Sequence, residues 1–206
     1  RSDSILVDTI YFDIEQDSTH LALRSGVACR DQEMFPAFTA HVNGNMSPRD
    51  ANLRLDYFDG NGDQGLDLGL IGVIGEDSVL HLTMYPEQPV IGFTKFKVNA
   101  DNYIDIHKHN RVFADIYLES TEDDCTVSIN ANPEETQLQN INAVIKNLNL
   151  QQLLTIMPFA PKMTGNVGLG ANFVQTEENY GIDGMLTADN FTYDDVPIGD
   201  LMSNFR

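Results

Sequence analysis

Residues 147–165 read NLNLQQLLTIMPFAPKMTG, the one short helical pattern in a chain otherwise written as strands. Leu150, Leu153, Leu154 and Met157 recur at i, i+3, i+4 and i+7, the spacing of one helical face, and Pro158 and Pro161 forbid continuation. This predicts a short helix near 148–157 whose leucine face packs across an opening or edge of a sheet, because so short a helix is marginal unless that face is buried. Strand periodicity resumes at once. Gly165, Val167, Leu169, Ala171 and Phe173 alternate with Asn166, Gly168, Gly170 and Asn172, giving one apolar and one polar face.

The same period of two runs outward in both directions. Leu53, Leu55 and Tyr57 alternate with Arg54 and Asp56, and Val112, Ala114, Ile116 and Leu118 with Phe113, Asp115, Tyr117 and Glu119. Phe38 to Val42, Ile10 to Ile14, Leu80 to Met84, Phe96 to Ala100, Cys125 to Ala131 and Ile182 to Ala188 repeat the pattern. Turn formers such as Asp59-Gly60-Asn61-Gly62 and Gly75-Glu76-Asp77 punctuate them, which predicts an all-β meander of successive antiparallel neighbours.

About 14 strands spaced at about 4.8 Å would extend about 65 Å in one sheet, too far to stay flat. Two architectures share this periodicity: a closed sandwich or barrel, and an elongated sheet folded lengthwise over its apolar face. In the second, an open trough for apolar ligands is lined by Leu53, Leu55, Leu66, Leu68, Leu70 and Leu82 in the first half of the chain. Phe96, Val98, Ile104, Ile106, Val112, Ala114, Ile116 and Leu118 line its middle, and Val127, Ile129, Val167, Leu169, Ala171, Phe173, Ile182 and Leu186 its second half.

Charge and composition exclude several classes of function. Twelve basic residues against 31 acidic ones give a net charge of -19, which opposes binding to a phosphate backbone and docking on anionic headgroups, so no nucleic-acid partner is expected. No run of 18 apolar residues and no charged-then-apolar leader occurs. Residues 1–206 read as a single fragment of a longer repetitive β-domain, with possible sub-segments 1–135 and 136–206 and exposed terminal strands near Ile5 and Phe191.

Candidate chemistry gives way at each point to a simpler reading. Asp59, Asn61 and Asp63 alternate like calcium ligands, yet Gln64 and Leu70 stand where the loop requires Gly and Glu, so a solvated hairpin turn is the better reading. His107 and His109 have metal-ligand spacing without a third ligand, and His20, His41, His81 and His107 fall on polar faces. No G-x-S-x-G elbow is present, and the carboxylates Asp13, Glu15, Asp56, Asp67, Asp105 and Asp115 lie where an outer face puts them. Neither an enzyme nor a cofactor or metal site is expected. Cys29 and Cys125 sit on the apolar side, where burial without a bridge is the simpler expectation.

The segment Asn147 to Gly165, continued through Asp189-Asn-Phe-Thr-Tyr-Asp-Asp-Val-Pro-Ile-Gly-Asp200, resembles the TamB family of translocation and assembly module proteins in its Bacteroidetes form. The order carries the resemblance: a Leu-rich turn of helix, Pro-Phe-x-Pro, Thr-Gly opening a glycine-spaced strand, then an aromatic strand closing in Ile-Gly-Asp. Pro89-Val-Ile-Gly92 and Val98-Asn-Ala-Asp-Asn-Tyr-Ile104 are similar to the segment preceding it. The resemblance implies a taco-like trough in a periplasmic protein, anchored to the inner membrane by a segment not in this chain and related to AsmA-like lipid-transfer proteins. Phospholipid or other acyl chains, neighbouring repeats of the parent chain and an outer-membrane β-barrel of the assembly family are the partners it implies. The competing expectation is a secreted glycan-binding or structural β-domain with a closed core.

Overall fold

A computed structural model describes residues 7–32, 36–157 and 160–206. The chain is all-β. Its strands are β1 (Thr9–Gln16), β2 (Leu21–Cys29), β3 (Phe38–Met46), β4 (Asp50–Asp59), β5 (Gln64–Ile74), β6 (Leu80–Ile91), β7 (Thr94–Val98) and β8 (Tyr103–Ile106). After these come β9 (Val112–Ser120), β10 (Thr126–Ala131), β11 (Gln137–Asn149), the helix α1 (Leu150–Thr155), β12 (Met163–Thr176), β13 (Tyr180–Tyr193) and β14 (Val196–Phe205). All fourteen strands join one antiparallel sheet in chain order, and the ladder crosses residue 135 without a break because β10 pairs with β11.

One place in the ladder is shared. The long strand β6 pairs with β8 near its start and with β7 at its end, and β9 does the same from the other side. Periodicity predicts a strand from Phe96 to Ala100, but β7 stops at Val98 because the chain turns between Asn99 and Asn102. Asparagine side chains bridge the gap as substitutes for backbone. Asn102 Oδ1 accepts the Met84 N–H at 2.7 Å, Asn102 Nδ2 donates to the Asn99 carbonyl at 2.9 Å, and Asn99 Oδ1 accepts the Tyr117 N–H at 2.9 Å. The Met84 and Tyr117 N–H groups thereby find acceptors at the break in the ladder.

Bulges and tight turns fix the register. The β11–β12 register shifts between Ile145 and Leu148, where Asn147 adopts φ 53°, and the β13–β14 register shifts between Ala188 and Phe191, where Asn190 adopts φ 52°. Asparagine tolerates this left-handed conformation, and each bulge bends its strand and adds twist. The two-residue turns Gly92-Phe93 and Asp194-Asp195 have positive φ at both positions, the geometry that matches the twist of flanking strands.

The helix is shorter than the apolar spacing predicts, covering Leu150–Thr155 with Asn149 as its N-cap, whose Oδ1 accepts the Gln152 N–H at 3.1 Å. Pro158 and Phe159 lie outside the described residues, as does Ile5. The terminal strands are β1 and β14, and Phe191 belongs to β13 instead.

Candidate functional site

Register carries one apolar face across every strand. Directly paired residues of an antiparallel sheet point to the same side. From Ile14 the row runs through Leu23, Gly44, Leu53 and Leu70 to Met84, and beside it Leu21, Met46, Ala51, Gly72 and Leu82 form a second row. Leu82 pairs with Ile104, Leu80 with Ile106, Ile104 with Ala114 and Ile106 with Val112. Val98 pairs with Leu118, and Phe96 with Ser120. The face then continues through Ile116–Ile129–Ala143–Ala171 and Leu118–Val127–Ile145–Leu169–Leu186. Leu148 lies opposite Val167, and Phe173 opposite Ile182. Leu55, Leu66 and Leu68 share the face through their pairing within β4 and β5.

Burial along this face falls from the middle outward. Phe96, Val98, Ile116, Leu118 and Cys125 form a closed cluster, packed round by Met84, Ile91, Ile104, Val127, Ile129 and Leu148. Ala114 is buried as well. Leu55, Leu66, Leu68, Leu70, Leu82, Ile106, Val112, Val167, Leu169, Ala171 and Phe173 are half-buried. Toward the two margins the same face is open: Ile10 is 74% exposed, Phe12 67%, Ile182 47% and Leu186 42%.

One end of the trough is plugged. A second cluster, Cys29, Phe38 and Tyr57, gathers Leu66, Phe93 and Ile156, with Phe38 stacked on Tyr57 at 5.7 Å and Phe93 edge-on to Tyr57 at 6.3 Å. The helix lies over the Gly92-Phe93 turn so closely that a Cβ on Gly92 would stand 2.9 Å from Leu153 Cα. Thr94 Oγ1 donates to Gln152 Oε1 at 3.3 Å. Leu150, Leu153 and Leu154 are half-buried, Ile156 enters the aromatic cluster, and Met157 stays 52% exposed because the helix has ended before it.

Near the other end, strands β2 to β6 form an apolar cleft of about 320 Å³ lined by Leu21, Leu23, Gly44, Met46, Ala51, Leu53, Leu70, Gly72 and Leu82, with Asn45 and Asn52 at its margin. Gly44 and Gly72 interrupt the two apolar rows with no side chain; a Cβ on Gly44 would meet only ordinary contacts at 3.4–3.8 Å, whereas Leu82 packs over Gly72, where a Cβ would stand 2.8 Å from its Cδ2. Strand spacing identifies Leu53, Leu70 and Leu82 but not Leu21, Leu23, Met46 and Ala51. A glycine at an apolar-face position within a strand is the signal that points to the gap.

The opposite face is polar and held by cross-strand pairs. His41 Nδ1 meets Asp56 at 2.5 Å and His81 Nδ1 meets Asp105 at 2.8 Å. Arg54 clamps Asp67 through Nε and Nη2, both at 2.8 Å, and this bond holds the guanidinium above its ordinary pKa. Asp56 stands directly opposite Asp67, so His41 and Arg54 offset a like-charge contact.

The Asp59 carboxylate accepts the N–H groups of Asn61 and Asp63 and so closes its own turn. His107 stacks edge-on against Phe113 at 4.9 Å. Among the described residues no group of three or more His, Cys, Asp or Glu stands ready to hold a metal ion. No disulfide joins Cys29 to Cys125: Cys29 accepts a hydrogen bond from Gln32 at 3.0 Å, and burial, with Asp123 nearby, pushes the Cys125 thiol up to about 11. No helix of the described residues is long and apolar enough to cross a membrane.

No family model, curated protein or solved structure matches this chain.

Proposed function

We propose that this chain is a segment of a TamB-like periplasmic protein whose apolar trough carries acyl chains between membranes or serves outer-membrane protein assembly. The observation that carries this reading is the in-register apolar face, open at its margins and holed by the cleft over Gly44 and Gly72. A volume of about 320 Å³ with apolar walls suits a flexible hydrocarbon segment, at the small end of ligand pockets. Each methylene taken from water contributes about 0.8 kcal/mol, so a tail binds without a fixed polar contact and with low specificity. In this reading phospholipid is the cargo, neighbouring repeats of the parent chain extend the trough, an inner-membrane anchor lies elsewhere in the parent, and an outer-membrane barrel is a partner.

Titration with a fluorescent fatty acid tests it. The wild-type chain binds saturably, Leu70→Asp weakens binding by about tenfold or more, and Asn43→Asp on the polar face leaves it unchanged, with circular dichroism confirming the fold of each. Equal binding by all three contradicts the trough. The closed cluster around Phe96 favours a second reading, a structural β-domain, which requires that none of the three binds.

A further inference from the structure

Three turns gather at one end of the middle strands around an open cavity of about 850 Å³. They are the Lys108–Asn110 turn before β9, the turn from β10 into β11, and the turn from β12 into β13. Strands β9 to β12 are each paired on both sides, so the cavity does not depend on either margin of the sheet, and it shares no residue with the apolar cleft of β2 to β6. His109 and Asn110 adopt φ 60° and 58°, and this pair of left-handed residues reverses the chain just ahead of Arg111.

Arg111 is held in place. Its Nη2 donates to the carbonyls of Pro133 and Glu134, both at 3.0 Å, and its guanidinium stands 5.5 Å from the centre of the Phe113 ring. These contacts leave its Nε, a donor, buried without a hydrogen-bond partner in the protein. Gln139 donates through Nε2 to the Asn110 carbonyl, and its Oε1, an acceptor, is buried without a partner too. Among the described residues these are the two buried side-chain polar atoms left so, and both belong to side chains that meet at the 108–111 turn. A buried polar atom without a partner is costly, so the pair marks where a polar ligand is wanted. Gln137 adds a further donor beside them: its Oε1 accepts the Glu134 N–H at 2.9 Å and Asn140 Nδ2 at 3.2 Å, which leaves Nε2 to donate.

The cavity separates its charges by depth. Arg111 and Gln137 line it and are half-buried, whereas Glu135, Glu177 and Glu178 line it and are exposed, with His109 beside them. Arg111 takes part in none of the ion pairs among the described residues. A free anion meets three carboxylates and a chain of net charge -19 on its way to Arg111, and a free cation leaves the guanidinium unanswered. A molecule carrying both charges a short link apart answers each. Arg111 and Gln137 approach from different strands, which suits an oxyanion with several oxygens, and guanidinium groups favour phosphate. We propose that this cavity binds a phosphoethanolamine group, free or as the headgroup of a lipid: the phosphate oxygens accept from Arg111 Nε and Gln137 Nε2, and the ammonium lies among Glu135, Glu177 and Glu178. The inference stands on this cavity alone, independently of what the apolar trough carries.

Titration of the 206-residue chain with glycerophosphoethanolamine, followed by NMR at the Arg111 Nε–H and the Gln137 side-chain amide, tests it. Both resonances are expected to shift saturably. Glycerophosphoglycerol, which keeps the phosphodiester and lacks the ammonium, is expected to bind about tenfold more weakly or worse. Glu177→Gln combined with Glu178→Gln, both on an exposed turn, is expected to weaken glycerophosphoethanolamine by about threefold or more while circular dichroism stays that of the wild type. Sedimentation with vesicles containing phosphatidylethanolamine separates the two sources: capture by the vesicles places the group on a lipid, and binding of the soluble headgroup alone places it on a free molecule. No shift at Arg111, equal binding of glycerophosphoglycerol, or unchanged affinity in the double variant would each overturn the proposal, and none of these would alter uptake of a fatty acid by the cleft of β2 to β6.

Discussion

The Tyr57 hydroxyl donates to the Thr155 carbonyl at 3.5 Å, although Tyr57 lies on β4 and Thr155 ends the helix that follows β11. Six ladder steps separate these strands, through β5, β6, β7, β9 and β10. In a flat sheet that is about 29 Å, whereas a six-residue helix spans about 9 Å. Only a sheet bent around the helix brings them together. The short helix is thus the clasp that holds the curl.

The clasp depends on a glycine. Gly92 has φ +61° and faces the backbone of Gln152 and Leu153 at about 3 Å, so Gly92→Ala both strains the turn and pushes the helix away. We expect a loss of about 2 kcal/mol or more in urea denaturation and faster hydrogen exchange at Leu153 to Ile156. Unchanged exchange there would show that the helix does not depend on this contact.

Asn102 is 7% exposed and bridges two backbone groups across the break between β7 and β8. Replacing it by alanine leaves the Met84 N–H without its acceptor, and we expect a cost of about 1–3 kcal/mol in urea denaturation. Asp101 lies in the same turn with an exposed side chain, so Asp101→Ala serves as the near-neutral control. Equal stability of the two variants would show that the asparagine bridge contributes nothing.

Alkaline pH lowers stability through Cys125. Its thiol ionises at about 11 in the folded protein, above its ordinary value of 9.0, because burial opposes the thiolate. The folded-state pKa is raised, so the stabilisation is fully present below pH 9 and is lost between about 9 and 11 as the unfolded chain sheds its proton first. The shift corresponds to about 2–3 kcal/mol, and Cys125→Ala is expected to flatten that part of the stability profile. Tyr57, also raised by burial and then by Asp59, steepens the loss near pH 10. An identical alkaline slope in the alanine variant would show that Cys125 does not contribute to it.

Filling the cleft separates binding from folding. A Cβ on Gly44 finds its nearest neighbours at 3.4–3.8 Å, ordinary contact, and its backbone is not in the left-handed region. Gly44→Leu is therefore expected to hold or raise the melting temperature while abolishing uptake of a fatty-acid probe. Ile116 is a poor place for the same test, since at 3% exposure a charge there reads chiefly as unfolding.

Much of this architecture was legible in the sequence, because alternation reports which side of a strand is apolar and the ladder runs in chain order. The face shared by Leu53, Leu118, Leu169 and Leu186 follows from period alone. What period does not report is where the ladder breaks: Asn99 and Asn102 imitate backbone, so the alternation that begins at Phe96 carries on to Ala100, past the end of β7. Nor does it report depth. Phe96 and Ile182 look alike in the pattern, yet one is 1% and the other 47% exposed, because curvature closes the middle of the sheet and leaves its margins open. The cleft was hidden for a related reason, since its floor includes Gly44 and Gly72, residues that a search for apolar side chains passes over.

Photocrosslinking with a phospholipid carrying a diazirine on its acyl chain, followed by peptide mapping, reports directly where an acyl chain lies on the sheet. Adducts are expected to concentrate on the apolar face of β2 to β6, at Leu21, Leu23, Met46, Leu53, Leu70 and Leu82, and to disappear in Gly44→Leu. Adducts spread evenly over both faces, or none above the level of a heat-unfolded control, would contradict it.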